Sequence, residues 1–393
     1  WPSEPRADPW MSRPMRQAFG LPPIERRIGL SAHDFAQAFC AEQVMITRAE
    51  RVEGAPTVPA RWLLRLENVL DGGGEVGPAV KAELAASSAT LLGWQAALDA
   101  PESIKPLKAP APKPPVRARP RQLSVTQVET WMRDPYAVYA RHILRLRPLD
   151  RIDADPGAAE RGTMIHEALD RFVRDYPDHM PPDVLRVLSD TGVTVFGKTL
   201  SLPGVWTFWW PRYERIIEWF AETETAYRQN IKKTHTEVPG ALEIISKQGT
   251  FTLVAKADRV DELEDGTISI IDYKTGKPPS GTDISLGFAP QLPLEAAIAQ
   301  AGGFSGVAGA PVSLLEFWQL SGGDRAGERR PAGKEIQGLA EGALRGLTDL
   351  VIRFDNPETP YLSQPDPSHT PRWSDYAHLA RVLEWSSIEG GSD

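Results

Sequence analysis

Asp258 in FTLVAKADRVDEL, with Asp272 and Lys274 in ISIIDYKTG, are the residues whose types and spacing most readily do chemistry. Residues 251–263 and 267–274 alternate apolar and polar side chains, and Asp265-Gly266 between them is a turn-forming pair, so the stretch predicts a β-hairpin. Residues two apart on a strand share a face. Asp272 and Lys274 therefore point one way and the Tyr273 side chain the other, which leaves the Tyr273 carbonyl to lean toward the pair. With Asp258 on the same face of the neighbouring strand, two carboxylates meet beside an ammonium. Two ionised carboxylates that close repel, and one shifts toward its protonated form unless a hard cation such as Mg²⁺ takes oxygens from both. A metal held there polarises a phosphoryl oxygen and lowers the pKa of its water, and a lysine alongside holds or polarises that water. Hydrolysis of a phosphodiester is the reaction these groups suit. An isolated D-x-K is common and on its own reads as a solvated strand edge; the weight comes from what surrounds it.

Upstream, GTMIHEALDRFVRDY spaces Met164, Ile165, Leu169, Phe172 and Val173 as one buried stripe of a helix, with His166 near its edge. Taken alone, such a histidine is more often a hydrogen-bonded core residue than a ligand. Downstream, a helix is predicted from Gln291 to Gln300. The succession of Gly162-x-x-x-His166, a strand aspartate, D-Y-K-T-G and a following glutamine resembles the RecB-type branch of the PD-(D/E)XK nucleases. The resemblance implies an α/β fold with a restriction-endonuclease-like core, a mixed sheet flanked by helices. It implies that His166, Asp258, Asp272 and the carbonyl of Tyr273 bind the metal, Mg²⁺ or alternatively Mn²⁺. Asp258, Asp272 and Lys274 then form the catalytic set, with Lys274 activating water. The glutamine of the family's Q-x-x-x-Y motif, which grips DNA, falls on Gln291; the tyrosine position holds Glu295, a departure from the pattern.

Other charged residues nearby have plainer readings. Asp261 and Glu262 are expected at the surface near the strand end. Glu237, in THTEVPGALEI on a candidate strand leading into the hairpin, reads as a carboxylate supporting the metal ligands or as an exposed side chain. Residues 192–199, GVTVFGKT, satisfy the phosphate-loop pattern G-x-x-x-x-G-K-[ST] letter for letter. Their context does not, because they follow the helical pattern PPDVLRVLSD, carry Val, Thr, Val and Phe at the loop positions, and meet Pro203-Gly204 soon after. The expectation is no ATP site, and instead a strand or loop packed against the Trp-rich helix predicted from Trp209 to Ile231.

The chain has 393 residues, 41% of them hydrophobic, enough for one or two sizeable cores, and no apolar run long enough to span a bilayer. A protein with no membrane segment is expected, and the single cysteine, Cys40, suits a reducing cytoplasm. One cysteine also excludes the iron–sulfur cluster that some relatives clamp around this kind of nuclease domain; where they have a Cys-Pro pair, this chain has Asp134-Pro135-Tyr136. A net charge of −8 argues against a uniformly basic surface but leaves room for a basic channel. Basic residues gather at Lys105, Lys108, Lys113, Arg117, Arg119 and Arg121, then at Arg141, Arg145, Arg147 and Arg151, as phosphate contacts or as a solvated linker and helix face.

The first of these clusters marks a boundary. Residues 101–121 carry seven prolines and predict an extended, semi-rigid linker. Residues 122–393 are expected to form the nuclease domain. There LSVTQVETWMRDPYAVYARHILRL gives two helices, capped at Ser124 or Thr126 and broken at Asp134-Pro135, VSLLEFWQL a strand, and Ile336 to Phe354 and DYAHLARVLEW helices. In residues 1–100, SAHDFAQAFC predicts a short helix capped by Ser31 and Asp34, VMITRAERV a strand or loop, and VPARWLLRLENVL a helix. That order resembles the end of a UvrD-like helicase-fold domain, as in AddB-type subunits, whose helicase half is not a motor. The resemblance implies that residues 1–100 are the remnant of an inactive helicase-like domain, with Arg48 and Arg61 in structural salt bridges. The chain opens on Trp1 without an initiator Met, as a fragment would, and no secretion signal is visible.

The expectation that follows is a Mg²⁺-dependent deoxyribonuclease, exonuclease or endonuclease, resecting double-strand breaks for recombinational repair. Its partners would be DNA and an AddA-type helicase-nuclease subunit. The alternative from another class is a catalytically inactive scaffold that threads DNA and docks a motor helicase. A stand-alone RecB-like exonuclease is disfavoured by the helicase-like leader.

Overall fold

The computed structural model describes residues 10–389 apart from 24, 53, 104–107, 150–156 and 372, so Lys105 and Arg151 of the basic clusters lie outside the described residues. The chain forms two compact units, Trp1–Lys105 and Pro106–Asp393.

In the first unit, helices span Arg26–Phe39, Arg61–Asp71 and Val76–Asp99, and Arg51–Val52 pairs with Ala55–Pro56. The helix at Arg26 begins ahead of the expected cap, so Ser31 is buried inside it and does not cap it. Neither Arg48 nor Arg61 forms an ion pair among the described residues; the Arg61 guanidinium lies 5.8 Å from the centre of the Trp62 ring.

In the second unit a six-stranded mixed sheet is covered by helices on both faces. Its strands are β1 (Gln122–Ser124), β2 (Ile231–Ser246), β3 (Gly249–Leu263), β4 (Ile268–Lys274), β5 (Val312–Leu320) and β6 (Gly327–Pro331). The order is β1-β3-β4-β5-β6, and β2 also pairs with β3. β1 and β3 are parallel, as are β4 and β5; the other pairs are antiparallel. The hairpin forms where the alternation placed it. Gly266 turns the chain from β3 to β4 at a φ of 81°, a conformation glycine adopts without Cβ strain.

One helical layer holds α1 (Val125–Arg133), α5 (Gln291–Gln300) and α6 (Ile336–Asp355). The other holds α2 (Ala158–Asp175), α3 (Val184–Phe196) and α4 (Trp210–Tyr227). β4 shows why both are needed: Ile268 and Ile270 pack with α5 and α6, whereas Ile271 and Tyr273 pack with α2 and α4. Its apolar run is therefore the signature of a strand covered on both faces. Burying one such side chain contributes roughly 1.5–3 kcal/mol. Ile270→Ala, which also leaves a cavity, is expected to cost ~2–5 kcal/mol.

Local signals set the helix ends near the site. Ser124 Oγ accepts the Gln127 N–H at 3.2 Å and Gln127 Oε1 accepts the Ser124 N–H at 2.9 Å, the reciprocal cap that starts α1. Pro135 has no N–H with which to continue that helix, and a short helix starts anew at Pro135–Val138.

Three expectations are corrected. The phosphate-loop lookalike is neither strand nor loop: Gly192 to Phe196 close α3, and Gly197–Ser201 form a 3-10 turn. Helical spacing of the buried Leu188, Gly192 and Phe196 prevails there over the extended preference of Val and Thr. The segment does pack on α4, where the Phe196 and Tyr213 ring centroids are 5.3 Å apart. Second, the end of the proline-rich stretch is part of the fold. Buried Arg119 donates to the carbonyls of Phe354, Asn356 and Pro357 at 2.7, 2.9 and 2.9 Å, and Arg121 pairs with Asp355 at 2.6 Å, so neither is free for phosphate. Third, DYAHLARVLEW is a series of turns that becomes helical only at Val382–Glu389.

Candidate active site

The hairpin register sets the site. Pairing from Glu262↔Ile268 to Arg259↔Ile271 leads directly to Asp258 and Asp272 as the next opposed residues. Beyond the last ladder pair, Asp258 Oδ2 accepts the Tyr273 N–H at 2.8 Å and so ties the two strands together. The Tyr273 ring faces the α2–α4 layer, as strand alternation requires.

α2 brings His166 to this point. Its Nδ1 is 3.5 Å from Asp258 Oδ2, and its ring stands edge-on to Tyr273 with centroids 5.9 Å apart. The approach depends on Gly162, where a Cβ would lie 3.1 Å from Thr275 Oγ1, beside Lys274. α5 brings Gln291 from the other side of the sheet. Gln291 Oε1 accepts from Lys274 Nζ at 3.1 Å, while Nε2 donates to Asp272 Oδ1 at 2.5 Å and to Glu295 Oε1 at 3.3 Å. Lys274 Nζ donates to Asp272 Oδ1 at 3.0 Å and stands 2.8 Å from Oδ2 in ionic contact, out of hydrogen-bond line. Asp272 Oδ2 and Glu295 Oε2 are thereby buried without a hydrogen-bond partner among the described residues.

Charge accounts for the titration of these groups. Burial, partly offset by Lys274 and reinforced by the Asp258 charge, raises the Asp272 carboxyl to about 6. Burial opposes a charged imidazole at His166, but the hydrogen bond and charge of Asp258 outweigh it and raise its pKa. Burial likewise opposes the Lys274 ammonium, and Asp272, Asp258 and Glu295 outweigh it, so Lys274 is held firmly protonated.

A hard divalent cation fits this donor set: two aspartates, a strand carbonyl and an imidazole, with a buried Asp272 oxygen that has no hydrogen bond among the described residues. Among the described residues no three His, Cys, Asp or Glu side chains are drawn together tightly enough to hold an ion as they stand. The ammonium of Lys274 and the Gln291 amide engage Asp272 in this arrangement.

Glu237 is placed differently from a support for the ligands. It takes a left-handed φ of 53° in β2 and its carboxylate pairs with Lys256, with no hydrogen bond to Asp258, Asp272 or Lys274 among the described residues. Asp261 is not at the surface either. It is fully buried with Arg259 and Glu224: Arg259 Nε donates to both Asp261 oxygens at 3.0 and 2.8 Å, and Nη1 donates to Glu224 Oε2 at 2.7 Å. Arg228 adds a second guanidinium on Glu224 at 2.5 Å. Glu262, half-exposed, meets His235 at 2.8 Å. The sequence does carry one signal for the buried group, since Arg259 and Asp261 are two apart on a strand and opposite in face to Asp258.

A groove of about 730 Å³ opens at Lys274 and Gln291 and is lined also by Lys277, Arg141 and Trp373. Arg141 and Lys277 have no ion-pair partner among the described residues, and Trp373 is 91% exposed. Arg133, also on its wall, is engaged by Glu129 at 3.2 Å and Asp283 at 3.8 Å.

The site and its sheet have relatives. An uncharacterised protein of Rickettsia conorii is 26% identical over 309 residues, covering 78% of this chain and 35% of that protein. A second, from Rickettsia bellii, is 25% identical over 307 residues, covering 78% of this chain and 36% of its own length. This chain thus spans about a third of the length of those relatives. Among solved structures, the crystal structure of SSO0001 aligns over 57% of this chain and 76% of its own, with a TM-score of 0.24 and 13% identity. Residues 122–368, which contain every strand of the sheet together with His166, Asp258, Asp272, Lys274 and Gln291, match the PD-(D/E)XK nuclease superfamily, and the chain belongs to that superfamily.

Proposed function

We propose that this site hydrolyses DNA phosphodiester bonds with a divalent cation, Mg²⁺ or in its place Mn²⁺. The observation that carries the reading is the meeting of Asp258, Asp272, Lys274, His166 and Gln291, brought from four separate elements into one cluster of hydrogen bonds and ionic contacts. His166, Asp258, Asp272 and the Tyr273 carbonyl are the groups that would hold the cation. When bound, it supplies Lewis-acid polarisation of the phosphoryl group and a more acidic water.

The chain's own residues do the rest. Lys274, held protonated, works as a fixed positive charge: it orients the attacking water and offsets charge on the phosphate, and it does not take up a proton. Gln291 keeps Lys274 and Asp272 in register. The groove at Lys274 offers a path for a strand, with Arg141 and Lys277 toward phosphates and the exposed Trp373 ring for base stacking.

In our reading the domain acts as the nuclease end of an AddB-type subunit in the cytoplasm, cutting a strand fed by an AddA-type helicase-nuclease during double-strand break resection. The resemblance of residues 1–100, read from their sequence, to the end of a helicase-fold domain is what supports that setting. The test is cleavage of linear single-stranded and duplex DNA by the parent, Asp272→Ala and Lys274→Ala, with Mg²⁺ and after chelation. Cutting by the parent alone, abolished by chelation and restored by Mg²⁺, is expected. Equal cutting by all three overturns the catalytic assignment, and no cutting by any favours the DNA-threading scaffold.

A further inference from the structure

α5 carries a carboxylic acid that the hydrolysis described above leaves without a part. Glu295 lies one turn after Gln291, is 1% exposed, and keeps Oε2 buried without a hydrogen-bond partner among the described residues. Leaving a buried polar atom unpaired costs roughly 1–3 kcal/mol. Its neighbours Leu292, Leu294 and Ala296 are apolar and equally buried, so an apolar side chain would serve the packing of this helix better. Something other than packing keeps an acid here.

Its one hydrogen bond shows what. Gln291 Nε2 reaches Glu295 Oε1 at 3.3 Å and Asp272 Oδ1 at 2.5 Å, while Gln291 Oε1 faces the Lys274 ammonium at 3.1 Å. A primary amide can turn over about its last bond, which would set its N–H groups against the ammonium and its oxygen against the carboxylate. Two acceptors on the nitrogen side hold it the right way round. Burial, reinforced by the charges of Asp272 and Asp258, pushes the Glu295 carboxyl well above the usual carboxylate range.

We propose that Glu295 is a positioning residue that locks the Gln291 side chain between Lys274 and Asp272, at the place where the family's pattern has a tyrosine. Its kinetic consequence rests on the nuclease reading; its geometry does not.

The experiment uses the full chain and three variants, Glu295→Ala, Glu295→Gln and Gln291→Ala. Positioning residues behind a reactive set typically contribute about 10–100-fold. Glu295→Ala is expected to lower kcat on single-stranded DNA with Mg²⁺ by about tenfold or more, with KM changed by less than about twofold. Glu295→Gln keeps an oxygen that accepts from Gln291 and is expected to recover to within about threefold of the parent. A second readout needs no cleavage: the side-chain amide ¹⁵N–¹H signals of Gln291, identified by their loss in Gln291→Ala. They are expected to be dispersed in the parent and in Glu295→Gln and to collapse toward solvent-exposed values in Glu295→Ala. Should Glu295→Ala unfold, Glu295→Met fills the volume and still removes the acceptor.

Unchanged rate and unchanged Gln291 signals in Glu295→Ala overturn the proposal. So does a Glu295→Gln variant as slow as Glu295→Ala that also needs more Mg²⁺, which would make Glu295 a metal ligand. A parent that does not cut, with Gln291 signals that still respond as described, refutes the nuclease reading and leaves the positioning role standing.

Discussion

The two faces of the β3–β4 hairpin carry the same kinds of charge and use them in opposite ways. On the face toward α4, Arg259 is fully buried between Asp261 and Glu224, with a second guanidinium from Arg228 behind Glu224. Burial raises both acids, but Glu224, held by two arginines, is brought below the ordinary carboxylate range, whereas Asp261, with Arg259 as its one arginine, stays above it. On the face toward α5, Lys274 pairs with Asp272 and the His166 imidazole lies 3.5 Å from Asp258, while Glu295 is a third carboxyl group buried behind Gln291; the Asp272 carboxyl rises to about 6, and its Oδ2 has no hydrogen bond among the described residues. Where cations match anions the charges hold the strands. Where anions exceed cations they leave a demand for a further positive charge, which is what a metal-dependent site requires.

Substitutions on each face can break or sharpen that contrast. Arg259→Leu leaves buried Asp261 without its cation and Glu224 with Arg228 alone, and is expected to cost ~3–5 kcal/mol in urea unfolding. Its cleavage rate per folded molecule should change little; an unaltered unfolding midpoint would erase the difference between the faces. Gln291→Ala, on the reactive face, is expected to slow cleavage about 10–100-fold with unfolding free energy nearly unchanged, measured on the same preparation. Acid should act on the reactive face next. Because the Asp272 pKa is raised to about 6, the carboxylate that a cation needs is lost as pH falls through that value. Apparent Mg²⁺ affinity, read from the rate at subsaturating metal, should then drop about tenfold per pH unit below it. A flat profile between pH 5 and pH 7 would place Asp272 outside the metal requirement. The smallest effect belongs to neither face. Lys256→Ala removes only the exposed pair with Glu237, and should shift stability by less than about 0.5 kcal/mol and leave the rate alone.

Much of the reactive face was legible because its signals are local. Strand alternation and the Asp265-Gly266 turn set Asp272 and Lys274 on one side and gave the register that brings Asp258 across. His166 and Gln291 could be placed only through the resemblance, since no periodicity links a helix of α2 or α5 to a strand end. The quiet face was misread for a related reason. An Arg and an Asp two apart on a strand look the same whether solvated or buried, and the residue that decides, Glu224, lies 35 positions earlier on α4. Arg119 was similarly opaque, because the carbonyls that hold it come from residues 354–357, more than two hundred positions on. The lookalike phosphate loop went the other way: its letters matched a pattern, while its apolar spacing continued the helix before it.

The central claim is that Asp272 is there for reaction and not for holding the fold. Asp272→Asn keeps the shape of the side chain and one accepting oxygen and removes its charge, so cleavage of single-stranded DNA with Mg²⁺ and urea unfolding should be measured on it together. The expected result is a rate lower by roughly 10²–10⁴-fold with stability within about 1 kcal/mol of the parent. A variant that cuts as fast as the parent, or that slows only in proportion to the fraction unfolded, would contradict it.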